Sequence, residues 1–318
     1  MSLLCFGEVL VDLLSNDSQP EQFTKFAGGA PANVAVAYAK LGGNASFVGM
    51  LGKDKFGDFL EQELQQAGVH TKYCKRTAKA QTALAFICLD KHNERDFTFY
   101  RSQTADLLFK AHDFCLAAFQ QHEIFHMCSN SLCEQAIFQT TLKGLEQAKA
   151  ACCLISFDIN LRTHLWQTPK HIYSRVMKVI ASTDILKLNE DELKWLTEHA
   201  KPEHAKQDLI QLCFQLGVQV ILLTRGKQHI TCYTQNSQMD VTPPSCDTID
   251  TTAAGDAFIG GFLYAMSQQI IHKQPLSASQ LRESIVFASY CGSFCVTRSG
   301  AFSALPTQDD INTFVQSI

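Results

Sequence analysis

The sequence predicts an α/β fold: a doubly wound, mainly parallel sheet flanked by helices, with a small antiparallel β lid. Three observations lead there. Short apolar runs alternate with helix-spaced patterns through the middle of the chain, one hairpin-like stretch interrupts that rhythm, and the composition suits a large buried core. With 318 residues, 46% of them hydrophobic and 18% charged, disordered and fibrous classes are excluded.

Ile124-Met127, Cys153-Asp158, Ile185-Leu188 and Val220-Thr224 are strand-like, and between them Leu132-Ala150, Pro169-Ala181 and Glu203-Leu216 carry apolar residues at helical spacing. This is the βαβ pattern of a parallel sheet covered on both faces. The interruption comes earlier. Thr82-Leu89 and Asp96-Tyr100 flank the polar turn Asp90-Lys91-His92-Asn93-Glu94-Arg95 and read as an antiparallel hairpin, with Val9-Leu14 and Phe23-Phe26 as further strands beside it. No linker or repeat divides the chain, so 1–318 reads as one domain with lid strands inserted from about 9–26 and 82–103. A lid excludes water from a reaction, and a merely decorative hairpin is the alternative.

The formal charge of -4 and the lack of a basic cluster exclude nucleic acid as a partner. No run reaches about 18 apolar residues, and the start lacks a basic, then apolar, signal pattern, which predicts a cytoplasmic protein with no membrane contact. The thirteen cysteines are scattered, odd in number and never spaced C-x-x-C. They read as small buried hydrophobes, with redox sensing by Cys152 and Cys153 or by Cys291 and Cys295 as the alternative.

The chemistry concentrates in Asp250-Thr251-Thr252-Ala253-Ala254-Gly255-Asp256, followed by an apolar helical pattern through Met266. Small residues let the backbone of Ala253, Ala254 and Gly255 approach a ligand closely. Free N–H groups at the helix start, aided by the helix dipole, then form an anion hole for a transferring phosphoryl group. A carboxylate there opposes static phosphate binding but suits a base that takes the proton of an attacking hydroxyl. An isolated Gly-Asp would read as a helix cap.

A second glycine-rich segment shifts that balance: Ala27-Gly28-Gly29-Ala30-Pro31-Ala32-Asn33. Its backbone can lie close to a ligand or act as a hinge, and Asn33 offers a donor and an acceptor to a sugar hydroxyl. A capped helix after a turn explains the same residues equally well. Neither G-x-x-x-x-G-K-[ST] nor G-x-G-x-x-G occurs, so phosphate is bound in another way and a dinucleotide-dependent oxidoreductase is disfavoured.

With both segments in hand, the sequence resembles the ribokinase-like, or PfkB-type, carbohydrate kinases. Gly28-Gly29-x-x-x-Asn33 and Asp250 to Asp256 match the two signatures of that family, and the resemblance runs from Phe6-Gly7-Glu8 to Gly300-Ala301. Within the family the likeness is nearest to fructokinases, through Leu41-Gly42-Gly43, Gly52-x-Asp54-x-Phe56-Gly57, Thr82-Ala83-Leu84-Ala85-Phe86, Phe99-Tyr100-Arg101 and Asp158-x-Asn160-Leu161-Arg162. The resemblance implies a ribokinase-like fold and transfer from ATP to D-fructose, giving fructose 6-phosphate, with Asp256 as base. A 2-keto-3-deoxygluconate kinase is the nearest alternative, and an inactive family member a further one.

The same resemblance implies roles for single residues. Asp12, Gly28, Gly29 and Asn33 would bind sugar hydroxyls, with Arg101 and Arg162 near the substrate or its phosphate. Asn189 and Glu192 would organise Mg²⁺ and phosphates through water, and Thr224 and Gly226 would lie against the nucleotide. Asp250 and Thr252 would hold an activating cation such as K⁺. Ala304 stands where ribokinases often have a serine ligand for that ion, and Ala253 where glycine is commoner. The family likeness also implies a homodimer formed through the lid.

Overall fold

Fourteen strands run through the described residues of the computed structural model, which are 1–318 without 16, 18–19, 90–94, 203, 205–206, 270–275 and 318. They are β1 (Ser2–Phe6), β2 (Leu10–Leu14), β3 (Thr24–Gly28), β4 (Asn44–Val48), β5 (Met50–Gly52), β6 (Lys75–Thr77), β7 (Leu84–Leu89), β8 (Arg95–Tyr100), β9 (Ile124–Cys128), β10 (Leu154–Asp158), β11 (Ile185–Asn189), β12 (Val220–Thr224), β13 (Ile230–Thr234) and β14 (Ser237–Val241). Eight of them form the central sheet in the order β14-β13-β12-β11-β10-β9-β1-β4. Its pairs are parallel up to β12, while β13 and β14 add an antiparallel edge.

Side chains alternate across this sheet and feed two apolar clusters. Leu4 and Phe6 point to one face, where helices Gln135–Ala150 and Ile172–Ile180 pack; Leu3 and Cys5 point to the other, beneath helices Ala30–Lys40 and Ala254–Gln269. Because both faces are covered, the inner strands read as unbroken apolar runs. Helix Ala254–Gln269 sits close to its neighbours through two glycines. A Cβ on Gly260 would stand 2.6 Å from Ala37 Cβ, and one on Gly261 would stand 2.7 Å from Cys291 Sγ.

A second sheet, β3-β2-β7-β8, supplies the anticipated lid strands. Its outer pairs are antiparallel, but β2 and β7 run parallel, so this sheet is mixed. The expected turn at 90–94 lies outside the described residues.

Element boundaries differ from the expected ones for local reasons. Ser129–Leu132 forms a 3₁₀ turn, so the helix expected from Leu132 starts at Gln135. Pro169–His171 is likewise a 3₁₀ turn ahead of helix Ile172–Ile180. The pattern from Glu203 yields helix Leu209–Gln215, capped by Asp208, with 203 and 205–206 outside the described residues. Among the described residues no disulfide is formed. Cys153, Cys291 and Cys295 are buried as expected, whereas Cys115 and Cys152 are exposed.

Candidate active site

Parallel strands β9 to β12 end on one edge of the sheet, the edge where open α/β folds bind ligands. Asp158 closes β10, Asn189 closes β11 and Thr224 closes β12. Asp256 reaches this edge from the first turn of helix Ala254–Gln269 and is 8% exposed. Asn33, in the first turn of helix Ala30–Lys40, donates from Nδ2 to Asp256 Oδ2 at 2.7 Å. Its Oδ1 is buried without a partner among the described residues.

The turn before Asp256 is held from behind. Asp250 accepts from the Thr252 amide at 2.8 Å and from the Gly300 amide at 3.0 Å. Ala253 follows with φ of 59°, in the left-handed region, which costs an alanine about 1 kcal/mol. Glycine, lacking a Cβ, would adopt that conformation without this cost. A left-handed residue at a helix start can turn neighbouring amides toward one side, an arrangement suited to an anion.

Burial, and then repulsion from Asp158, push the Asp256 carboxyl up to about 7. The Asn33 hydrogen bond and the charges of Lys187 and Arg162 pull the other way. A carboxyl near 7 is poised to accept a proton at neutral pH.

Two further site residues, Asp158 and Lys187, escaped the sequence reading. Lys187 lies inside β11 between Leu186 and Leu188, and its Nζ donates to Asp158 Oδ2 at 2.7 Å with both side chains buried. Burial alone would weaken its hold on the proton, but Asp158, Glu192 and Asp256 together keep the ammonium above the usual lysine range. The available signal was a lone lysine near the carboxyl end of an apolar strand.

Asn189 and Glu192 form a reciprocal cap on helix Glu190–Glu198. Asn189 Oδ1 accepts from the Glu192 amide and Glu192 Oε2 from the Asn189 amide, each at 2.8 Å. Glu192 Oε1 also accepts from the Leu161 amide at 2.8 Å. Burial and Asp158 raise its pKa. Each oxygen therefore keeps one lone-pair direction for water. Next along the edge, Gly226 follows Thr224 and Arg225 in the left-handed region with φ of 57°, and Arg225 is tied to Glu190 at 3.1 Å.

On the lid side, a Cβ on Gly28 would stand 2.2 Å from Asp12 Oδ2 and 3.7 Å from Ala301 Cβ. Only glycine leaves room for that carboxylate. Gly29 has φ of 111°, and a Cβ there would stand 2.7 Å from the Glu8 carbonyl oxygen, so the turn rides directly on the backbone after β1. Buried Glu8 fixes this corner by accepting from Asn130 Nδ2 at 2.8 Å and from the Ala30 amide at 3.3 Å.

The two arginines part company. Arg101 is buried, paired with Asp106 at 2.7 Å, and donates twice to the Asn130 carbonyl at 3.1 Å. With a further bond to Cys133 Sγ at 3.6 Å, four of its five N–H donors are engaged among the described residues. Arg162 is exposed, and its charge reaches Asp256.

Comparison with known proteins follows the same geography. The profile of the pfkB family of carbohydrate kinases matches residues 1–308. A fructokinase of Vibrio alginolyticus is 36% identical over 313 residues, which cover 97% of each chain. Among solved structures, a fructokinase of Xylella fastidiosa with bound ATP superposes with a TM-score of 0.91 at 40% identity, covering 99% of this chain and 98% of that one. A double mutant of fructokinase from Vibrio cholerae O395, with fructose, ADP and potassium ion bound, superposes with a TM-score of 0.88 at 32% identity over 98% and 97%.

Proposed function

This chain belongs to the pfkB family of carbohydrate kinases, and from that membership we propose that it transfers the γ-phosphoryl group of ATP to the 6-hydroxyl of D-fructose. The observation that carries the mechanism is the Asn33–Asp256 hydrogen bond, which fixes a buried carboxylate with a pKa near about 7 beside the Ala253–Gly255 turn. Asp256 takes the hydroxyl proton as that oxygen attacks phosphorus, and the turn amides hold the charge that develops on the phosphoryl oxygens. Asp12, Gly28, Gly29 and Asn33 orient the sugar. The relatives whose names carry fructose and ATP support this substrate pair.

Magnesium fits the residues present. Among the described residues no three acidic, histidine or cysteine side chains cluster closely enough to hold a metal alone, as expected of an ion carried largely by nucleotide phosphates and water. Glu192 and Asn189 would hold its water shell, and the bound ion would neutralise phosphate charge during transfer. The monovalent cation fits less well. Its weaker support is at Ala304, whose side chain brings no oxygen ligand, so replacing K⁺ with a large organic cation is the direct check.

A homodimer through the lid sheet is supported by an aromatic row, in which Phe23 packs edge-on to Phe86 and Phe86 packs against Tyr100, itself 60% exposed. Light scattering of the wild type and a Tyr100→Lys variant tests it. No described helix is long and apolar enough to cross a membrane.

The substrate assignment is tested by turnover over KM on fructose, ribose, 2-keto-3-deoxygluconate and adenosine with Mg-ATP. Fructose is expected to lead by about tenfold or more. Preference for 2-keto-3-deoxygluconate would transfer the reading to the acid-sugar kinases, with Arg162 facing the substrate carboxylate.

A further inference from the structure

Placing an ammonium inside an apolar parallel strand is costly unless its donors are used. Lys187, 6% exposed in β11, has three N–H donors, and among the described residues it uses one, to Asp158 Oδ2 at 2.7 Å. Nζ also stands 3.0 Å from where a Cβ on Gly255 would lie. The ammonium thus lies against the last residue of the anion-binding turn, one position before the base. Asp158 Oδ1 is buried without a partner among the described residues. The charged groups that bear on the ammonium come from three elements: Asp158 on β10, Glu192 on helix Glu190–Glu198 and Asp256 on helix Ala254–Gln269.

We propose that Lys187 is a catalytic residue that contacts the transferring phosphoryl group, donating its unused N–H bonds to γ-phosphate oxygens while Asp158 holds the side chain in place. The chain has no P-loop lysine, and backbone amides supply only neutral donors. A fixed positive charge answers that need, because in-line transfer spreads negative charge over the equatorial oxygens. In the step itself the sugar oxygen forms its bond to phosphorus as its proton passes to Asp256. The bond to the β,γ-bridging oxygen breaks with its electron pair leaving on ADP, and Lys187 stays protonated throughout. The proposal rests on the kinase reading, so ATP turnover by the wild type is its control.

The test compares Lys187→Met with the double variant Asp158→Asn/Lys187→Met, at about pH 8.5 where Asp256 is ionised. Lys187→Met is expected to lower kcat about 100-fold, with KM for fructose within about threefold, and to weaken binding of a non-hydrolysable ATP analogue more than binding of ADP. The double variant removes the buried pair, so it folds even if the single variant does not. It is expected to stay as slow. A purely structural ion pair predicts the opposite: recovery of kcat to within about threefold of wild type in the double variant, or equal weakening of ADP and the analogue, and either result overturns the proposal. A wild type that turns over no sugar would instead remove the kinase reading itself.

Discussion

Asn33 Nδ2 and Asp256 Oδ2 stand 2.7 Å apart although 223 positions separate the two residues. The bond joins the glycine-rich segment near the start of the chain to the helix that carries the base. It favours the ionised carboxylate, against burial and Asp158, which favour the neutral one.

This balance predicts the pH dependence of the reaction. kcat/KM for sugar should rise with pH through about 7, as Asp256 loses its proton. Removing the hydrogen bond with Asn33→Ala should move that limb to higher pH and lower kcat/KM at pH 7 by about tenfold or more. Initial rates of both proteins between about pH 5.5 and 9 give the two midpoints.

Stability should follow the same carboxyl with a definite sign. Its folded pKa, about 7, lies above its ordinary value. The folded state therefore binds the proton more tightly, and the contribution is fully present below the unfolded pKa. That contribution is lost as pH rises through about 7, on the order of 4 kcal/mol if no other group compensates. Asp256→Asn should flatten this part of the profile, so denaturant titrations at pH 5 and pH 8 should converge in the variant relative to wild type.

Gly28→Ala is expected to raise the sugar KM about tenfold or more while leaving ATP affinity nearly unchanged, because its Cβ would enter the space of the Asp12 carboxylate at 2.2 Å. Steady-state kinetics varied in each substrate separately would show the split. An equal loss for both substrates would place the damage in the fold rather than in sugar binding.

Much of this was legible in sequence, and the omissions have physical causes. Strands β9 to β12 were readable because a sheet buried on both faces leaves continuous apolar runs. Strands β13 and β14 were not, since Thr231, Thr234, Ser237, Gln238 and Asp240 interrupt any apolar pattern on the antiparallel edge. Asp256 and Asn33 stood out through the small residues around them. Lys187 was absorbed into a strand pattern, because periodicity records which residues are apolar and is silent about where a single cation points. Arg101 was placed near the substrate by likeness to the family, and its buried pair with Asp106 is one that no local pattern announces.

Glu192→Gln should shift the magnesium requirement. Both carboxylate oxygens accept backbone amides, and an amide side chain preserves one of those bonds while removing the charge. The magnesium concentration for half-maximal rate should rise about tenfold, with most of kcat restored at saturating Mg²⁺. Titration of rate against free Mg²⁺ at fixed ATP measures this. Loss of kcat without any change in that midpoint would assign Glu192 to capping its helix alone.

The most direct measurement is the rate at which wild type and Asp256→Asn convert D-fructose and Mg-ATP to fructose 6-phosphate, with ATP binding followed in parallel. Asp256 as general base predicts a loss of about 10³-fold in kcat, with ATP affinity kept within about threefold. A variant that retains kcat within about tenfold of wild type would contradict the mechanism, and with it the role assigned to the Asn33–Asp256 pair.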